Sequence, residues 1–182
     1  QLQAQNGMLE TIARSIDVTL AFQGLAARIA HLVPCDRVGL ALLSEDGEEL
    51  QTYTARVSEK ERRVRPRPEI VFKVDQTVLG GVLRSREALI VPDVSAAAAD
   101  FLDANVLHTS GFGSALIVPL VCKGRADGTL NLVQRPKNAY RPEHIRAIQP
   151  IAQVYAVAII AHQLQVSLGK YRTMEAMSEQ TL

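Results

Sequence analysis

Asp93, Asp100, Asp103 and His108 fall in one short segment, and carboxylates with an imidazole are the donor set of non-haem iron or zinc sites. Each also has an ordinary local role. Asp93 follows Pro92 and suits a turn held through its own backbone. Asp100 and Asp103 fall in the first turns of a helix expected from about Ala98 to His108, where negative charge meets the helix dipole, and His108 lies near its end, where a cation is favoured. No metal is therefore expected, and a haem on His108 would rest on one histidine. Cys35 and Cys122 are the only cysteines. Either has the chemistry of a redox or nitric-oxide sensor, but cysteine between apolar strand residues usually packs as a small hydrophobe. His31, His144 and His162 are scattered over helices. No HExxH, CxxC or P-loop pattern occurs, and spacing supports no Ser-His-Asp set. No catalytic residue is expected, and the chain is not read as an enzyme.

Asn131 stands apart. It interrupts Leu130, Leu132 and Val133 on a strand that should be central. Asn is disfavoured in strands and must be hydrogen-bonded if buried. It points either into a pocket, to meet a ligand, or to a neighbouring loop.

The elements that would position these groups follow from periodicity. Leu9, Ile12, Ile16 and Leu20, then Leu25, Ile29 and Leu32, predict a helix over 2–32, stopped by Pro34. A strand from Asp36 through Leu42 turns at Glu45-Asp46-Gly47-Glu48 and returns over Leu50 to Val57, with Asp-Gly supplying the hairpin. Residues 58–69 read as a charged loop holding Arg62, Arg63, Arg65 and Arg67 together with Glu59, Glu61 and Glu69, a solvated face. Ile70 to Val74 is a strand. Thr77 caps a helix through Leu83 whose Gly80-Gly81 permits close packing. Ala88 to Val91 is a strand, followed by a loop and the helix at Ala98. Ser114 to Val121 and Gly128 to Val133 are two further strands about a turn at Lys123-Gly124-Arg125. Pro142 opens the last helix. Pro150 should kink it near Ile145 to Arg146. Beyond it, Leu164, Leu168, Tyr171, Met174 and Met177 form an apolar stripe that calls for a partner helix.

The chain has 182 residues, 47% of them hydrophobic, and 20 basic against 19 acidic side chains. That suits one domain with helical extensions and gives no electrostatic reason for nucleic acid or an anionic membrane. No apolar run is read as a membrane span, and no signal peptide is recognisable. The chain does not begin with Met and reads as a piece of a longer protein. Two free thiols suit a reducing, cytoplasmic setting.

Several short matches occur in one order: Pro34-Cys35-Asp36-Arg37-Val38, Leu79-Gly80-Gly81-Val82, Val91-Pro92-Asp93-Val94, Val118-Pro119-Leu120 and Gly128-Thr129-Leu130-Asn131-Leu132. In this the chain resembles the GAF domains, small-molecule-sensing modules of signalling proteins, over roughly residues 20–163. The resemblance implies an α+β fold. About six antiparallel strands would carry the terminal helices on one face and a pocket closed by loops and short helices on the other. It divides the chain into an N-terminal helix over 1–32, a core over 33–164 and a signalling helix over 165–182. Cyclic-nucleotide-binding members carry an Asp-Glu pair where this chain has Tyr140-Arg141-Pro142-Glu143-His144. Bilin-binding members carry a Cys before a His where this chain has Leu107-His108. Members that reduce methionine sulfoxide need reactive pocket cysteines. None of these activities is expected here.

The expected function is a regulatory sensor domain of a larger signalling or transcription-regulatory protein, of the two-component kind or another. It would bind a small molecule whose identity, like any cofactor's, the sequence leaves open. It would relay the change to an effector domain of the same polypeptide through a homodimeric C-terminal coiled coil. The alternative is a ligand-free dimerisation or spacer module. Candidate ligand contacts are Phe72, Asp93, Phe101, Asn105, His108, Phe112, Ser114 and Asn131.

Overall fold

Alternating apolar residues in six segments have one way to bury themselves together, an antiparallel sheet with different partners on its two faces. A computed structural model describes residues 18–57 and 69–180. The element order is α1 (Val18–Leu32), β1 (Arg37–Leu43), β2 (Glu49–Arg56), β3 (Ile70–Lys73), a 3-10 turn (Val74–Gln76), α2 (Val78–Ser85), β4 (Leu89–Val91), α3 (Val94–Ala97), α4 (Leu102–Thr109), β5 (Ser114–Cys122), β6 (Arg125–Gln134) and α5 (Pro142–Glu179). The strands form one six-stranded sheet in the order β3-β2-β1-β6-β5-β4, with every neighbouring pair antiparallel. The predicted α+β architecture is the one observed. The residues before Val18 in the predicted first helix, and the arginine-rich loop, lie outside the described residues.

Register assigns the two faces. Val38 and Leu40 of β1, Leu116, Val118 and Leu120 of β5, and Leu130 and Leu132 of β6 pack on Phe22, Ala26 and Ile29 of α1. They also meet Ile148, Ala152, Tyr155, Ala156 and Ile159 of α5. The intervening positions face the opposite way. There Ala41, Leu50 and Ile117 meet Leu79 and Val82 of α2, while Ala115 and Val133 meet Val94, Ala104 and Phe112. The terminal helices thus cover one face, and three short helices cover the other.

Two expectations need correction. The helix expected from Ala98 begins only at Leu102, as α4; the separate short helix α3 ends at Ala97, and Phe101 before α4 is in extended backbone at φ −130° and ψ 131°. Alanine propensity at 96–99 is overridden because Phe101 turns inward onto the Val94, Ala104 and Phe112 cluster. The last helix is continuous through Pro150, the residue expected to kink it. Pro150 and Arg146, whose carbonyl loses its partner, are both on the exposed side, so water can satisfy that carbonyl. Finally, α5 is long and apolar enough to cross a membrane by length and composition, with a mean hydropathy of 1.4 over an 18-residue window. The hydropathy arises because the helix is apolar on two sides. One packs in the core through Ile148, Tyr155 and Ile159, and the other exposes Val154 and Val157.

Adjacent glycines in α2 test how tightly this lid helix is seated. A Cβ on Gly80 would fall 2.2 Å from the Val74 carbonyl oxygen, whereas one on Gly81 meets nothing within 4 Å. Gly80→Ala should cost about 2–4 kcal/mol in urea denaturation. Gly81→Ala should stabilise by about 0.5–1 kcal/mol, because only helix propensity changes there. Equal effects would show that α2 is not packed on the 3-10 turn as described.

Candidate functional site

Between the helix-poor face of the sheet and the lid lies a cavity of about 120 Å3. Its floor is Gly39 of β1, Thr52 and Thr54 of β2, Ala115 and Ile117 of β5, and Asn131 and Val133 of β6. Phe72 and Ile70 of β3 close one side. Val78 and Leu79 of α2 and Asp103, Ala104, Val106 and Leu107 of α4 form the roof, with Arg37 and Glu69 also in the wall.

Asp103 organises the roof. It is buried, and its side chain leaves its own helix to cap another. Val78 N–H donates to Oδ1 at 3.0 Å and Leu79 N–H to Oδ2 at 3.2 Å, while Ala104 N–H donates to Oδ1 at 2.9 Å. Thr77 completes the same helix start: its Oγ1 accepts from Gly80 N–H at 3.0 Å and donates to the Val74 carbonyl at 2.8 Å. The first amides of α2 have no partner within their helix, so one carboxylate satisfies two of them and ties α2 to α4. Burial raises the Asp103 carboxyl above its ordinary value, and the three N–H donors offset this only in part.

The floor carries an unmet polar atom. Asn131 Oδ1 is buried and has no hydrogen-bond partner among the described residues. Gly39 lies across the ladder from Asn131. A Cβ there would lie in van der Waals contact with the Asn131 side chain, 3.5 Å from its Cβ.

Of the residues singled out from sequence, Phe72 and Asn131 line the cavity. The other six do not, each for a local reason. Asp93 caps α3, accepting from Ser95 N–H at 3.0 Å and Ser95 O–H at 2.6 Å, and pairs with Lys137 Nζ at 3.2 Å. The Ser95 hydroxyl first, and Lys137 with it, hold its carboxyl below the ordinary value. Phe101 and Phe112 pack in the cluster beneath α3 and α4. Phe112 also receives the Arg37 and Arg135 guanidinium groups on its ring, at 4.8 and 5.6 Å. Asn105 and His108, three residues apart, share the exposed face of α4. Ser114 is buried in a structural bond, donating to the Pro136 carbonyl at 2.7 Å and accepting from Ala139 N–H at 3.4 Å. Sequence reasoning did not bring Asp103, Thr52, Thr54 or Arg37 to the cavity. Strand alternation from Gly39 would have found the threonines, because Thr54 pairs with it.

No group of three or more His, Cys, Asp or Glu side chains placed to hold a metal occurs among the described residues. His144 is engaged at the start of α5, where its Nδ1 accepts from Arg141 N–H at 3.0 Å. Neither cysteine lines the cavity; both pack from the side of the terminal helices.

The profile of the GAF domain matches residues 17–159. The chain belongs to the GAF domain family. No curated protein has a sequence that matches it. Solved structures do. The GAF domain from a phosphoenolpyruvate-protein phosphotransferase of Coxiella burnetii is similar at 15% identity, covering 91% of this chain and 96% of its own, with a TM-score of 0.68. A methyl-accepting chemotaxis protein is similar at 21% identity over 86% of this chain and 96% of its own, at 0.65. A type II free methionine-R-sulfoxide reductase of Thermoplasma acidophilum is similar at 16% identity over 85% and 96%, at 0.60. At such identities the likeness is one of fold. GAF domains are sensor and regulatory modules of signalling proteins, although the fold also occurs in an enzyme, as the reductase shows.

Two outcomes follow. Because the Asp103 carboxyl lies above its unfolded value of 3.8, the folded GAF domain holds this proton more tightly than the unfolded chain. Its contribution to stability therefore falls as pH rises from about 3.8 through the folded value. Asp103→Asn should remove that slope from the pH dependence of unfolding. Asp103→Ala, which strands buried amides, should cost about 2–4 kcal/mol at neutral pH. A pH dependence unchanged by Asp103→Asn would contradict the assignment.

The second concerns Cys35. Burial first, and then the Asp36 charge, push its thiol up to about 12. In a Cys122→Ser background, thiol labelling at pH 8 should be slow until denaturant is added. Stability should fall as pH rises from about 9 toward 12, since the unfolded thiol ionises first. Fast labelling of native protein would return Cys35 to the candidates for redox sensing.

Proposed function

We propose that this GAF domain is the cytoplasmic sensor segment of a larger signalling protein, binding a small molecule in the roofed cavity and relaying its presence through a dimeric α5. The observation that carries the reading is the buried Asn131 Oδ1, without a partner among the described residues, in a cavity roofed by α2 and α4. An apolar spacer has no use for an unmet carboxamide, which costs stability unless something bonds to it. The domain is read as a non-enzyme, since neither thiol lines the cavity among the described residues.

The relay reading rests on α5. Its 38 residues span about 57 Å, longer than the sheet it covers. On its outer side Val154, Val157, Ala161, Leu164, Leu168 and Tyr171 are exposed and recur at alternating steps of three and four. That is a heptad seam. It begins at the domain body, opposite Tyr155 and Ala156 in the core, so a shift of the sheet would reach the seam directly. Met174 and Met177 continue by threes, a local overwinding of the repeat. Leu164 to Met177 are 60% to 70% exposed, so the stripe does not fold back on its own domain. A second copy, pairing in parallel, would bury it. Lys170 reaches Glu45 of the β1–β2 hairpin at 3.4 Å, one polar contact along the extension.

Ultracentrifugation at micromolar concentration should give a dimer. Leu164→Glu with Leu168→Glu should give a folded monomer. A monomeric wild-type chain would end the relay reading. Native mass spectrometry of protein purified from its host should show a retained small molecule; its absence, with no metabolite protecting residues 77–83 or 102–109 from hydrogen exchange, favours the spacer.

A further inference from the structure

We propose that the cavity takes an uncharged ligand with an apolar body, of about five to eight non-hydrogen atoms, whose one hydrogen-bond donor meets Asn131 Oδ1. This rests on the sensor reading and names the ligand class for the same cavity.

Size comes first. The volume of about 120 Å3 is somewhat below an engineered cavity of roughly 150 Å3 that admits benzene. A nucleotide, a haem or a bilin is far too large for the closed form.

Polarity comes next. Phe72, Leu79, Leu107 and Ile117 supply an apolar wall from three sides. Against it stands the Asn131 oxygen, an acceptor with no donor among the described residues. A ligand N–H or O–H at that point relieves the unmet bond, and a ligand offering only an acceptor does not.

Charge decides the rest. Among the described residues, the wall holds Arg37, Glu69 and Asp103 as its charged groups. The start of α2 would ordinarily attract an anion. Here the Val78 and Leu79 amides already hold the protein's own carboxylate at 3.0 and 3.2 Å. An anionic ligand therefore meets a fixed negative charge and finds the donors taken. A cationic one loses its hydration against the apolar wall and shares it with Arg37. Asp103 is thus both the clasp of the roof and the element that selects against anions.

Three compounds with one branched frame separate these points: 3-methylbutanamide, 3-methylbutanoate and 4-methylpentan-2-one. They differ only in carrying an amide nitrogen, a carboxylate oxygen or a methyl at one position. Backbone NMR titration of the 182-residue chain at pH 7 should show the amide shifting Leu79, Leu107 and Ile117. It should bind about tenfold more tightly than the ketone, and more tightly still than the carboxylate. Asn131→Leu should abolish the advantage over the ketone. Asp103→Asn, which removes the negative charge and keeps one oxygen to accept from α2 in place of the two that now meet Val78 and Leu79 N–H, should narrow the deficit of the carboxylate. A carboxylate that binds as well as the amide, or a ketone that matches it in wild type, overturns the proposal without any variant. If none of the three binds while the host protein carries another small molecule, the ligand class is wrong and the sensor reading stands. If none binds and nothing is carried, both fall.

Discussion

One carboxylate, that of Asp103, holds the lid of this domain together. A sheet face without a long helix must be covered by short ones, and helices of four to eight residues have little stability of their own. What fixes α2 and α4 is tertiary: two α2 amides bonded to a side chain from α4, with Thr77 finishing the cap. Apolar contacts from Leu79 and Val82 to the sheet then seat the unit. Without the clasp, the cavity would have a floor and no defined roof. Burial raises the Asp103 carboxyl above its ordinary value, so the clasp is made by a group whose charge its surroundings disfavour.

The two faces divide the work. The terminal helices share a dry core with the sheet, in which Phe22, Ile29, Leu40, Leu116, Leu130 and Ile148 are wholly buried. That face sets stability. The opposite face keeps small or polar groups, Gly39, Thr52, Thr54, Ala115 and Asn131, where larger apolar residues would have closed the space. Because alternate residues of β1 and β6 serve both faces, a displacement at Asn131 is one residue from Leu130 and Leu132, which pack in the cluster that holds α5. Leu116 of β5, between Ala115 and Ile117 of the cavity, makes the same link to the cluster that holds α5.

Much of this was legible in the sequence, because it depends on local pattern. Alternation found the strands, Asp46-Gly47 the hairpin, Thr77 the helix cap and Pro142 the start of α5. Asn131 stood out because a polar residue in a central strand needs a reason. What stayed hidden depends on contacts far apart in the chain. Asp103 read as an ordinary first-turn acid, since nothing local shows that its partners lie 24 and 25 residues away. Asn105 and His108 were expected in the cavity because the segment over it mixes apolar and polar side chains, which does not say which face of the helix turns inward. Placing its start at Leu102 puts Asp103, Ala104 and Leu107 inward and Asn105 outward. Ser114 and Phe112 are buried as expected of site residues, but their partners are a loop carbonyl and two guanidinium groups.

The central claim is that α2 and α4 form one lid, clasped by Asp103 and separable from the sheet. Residue-resolved native-state hydrogen exchange tests it most directly. The amides of Val78, Leu79, Val82 and Val106 should exchange through a single shared opening of lower free energy than those of β5 and β6. In Asp103→Asn that opening should become easier for all four together. Separate openings for the two helices, or protection equal to that of the central strands, would contradict the account.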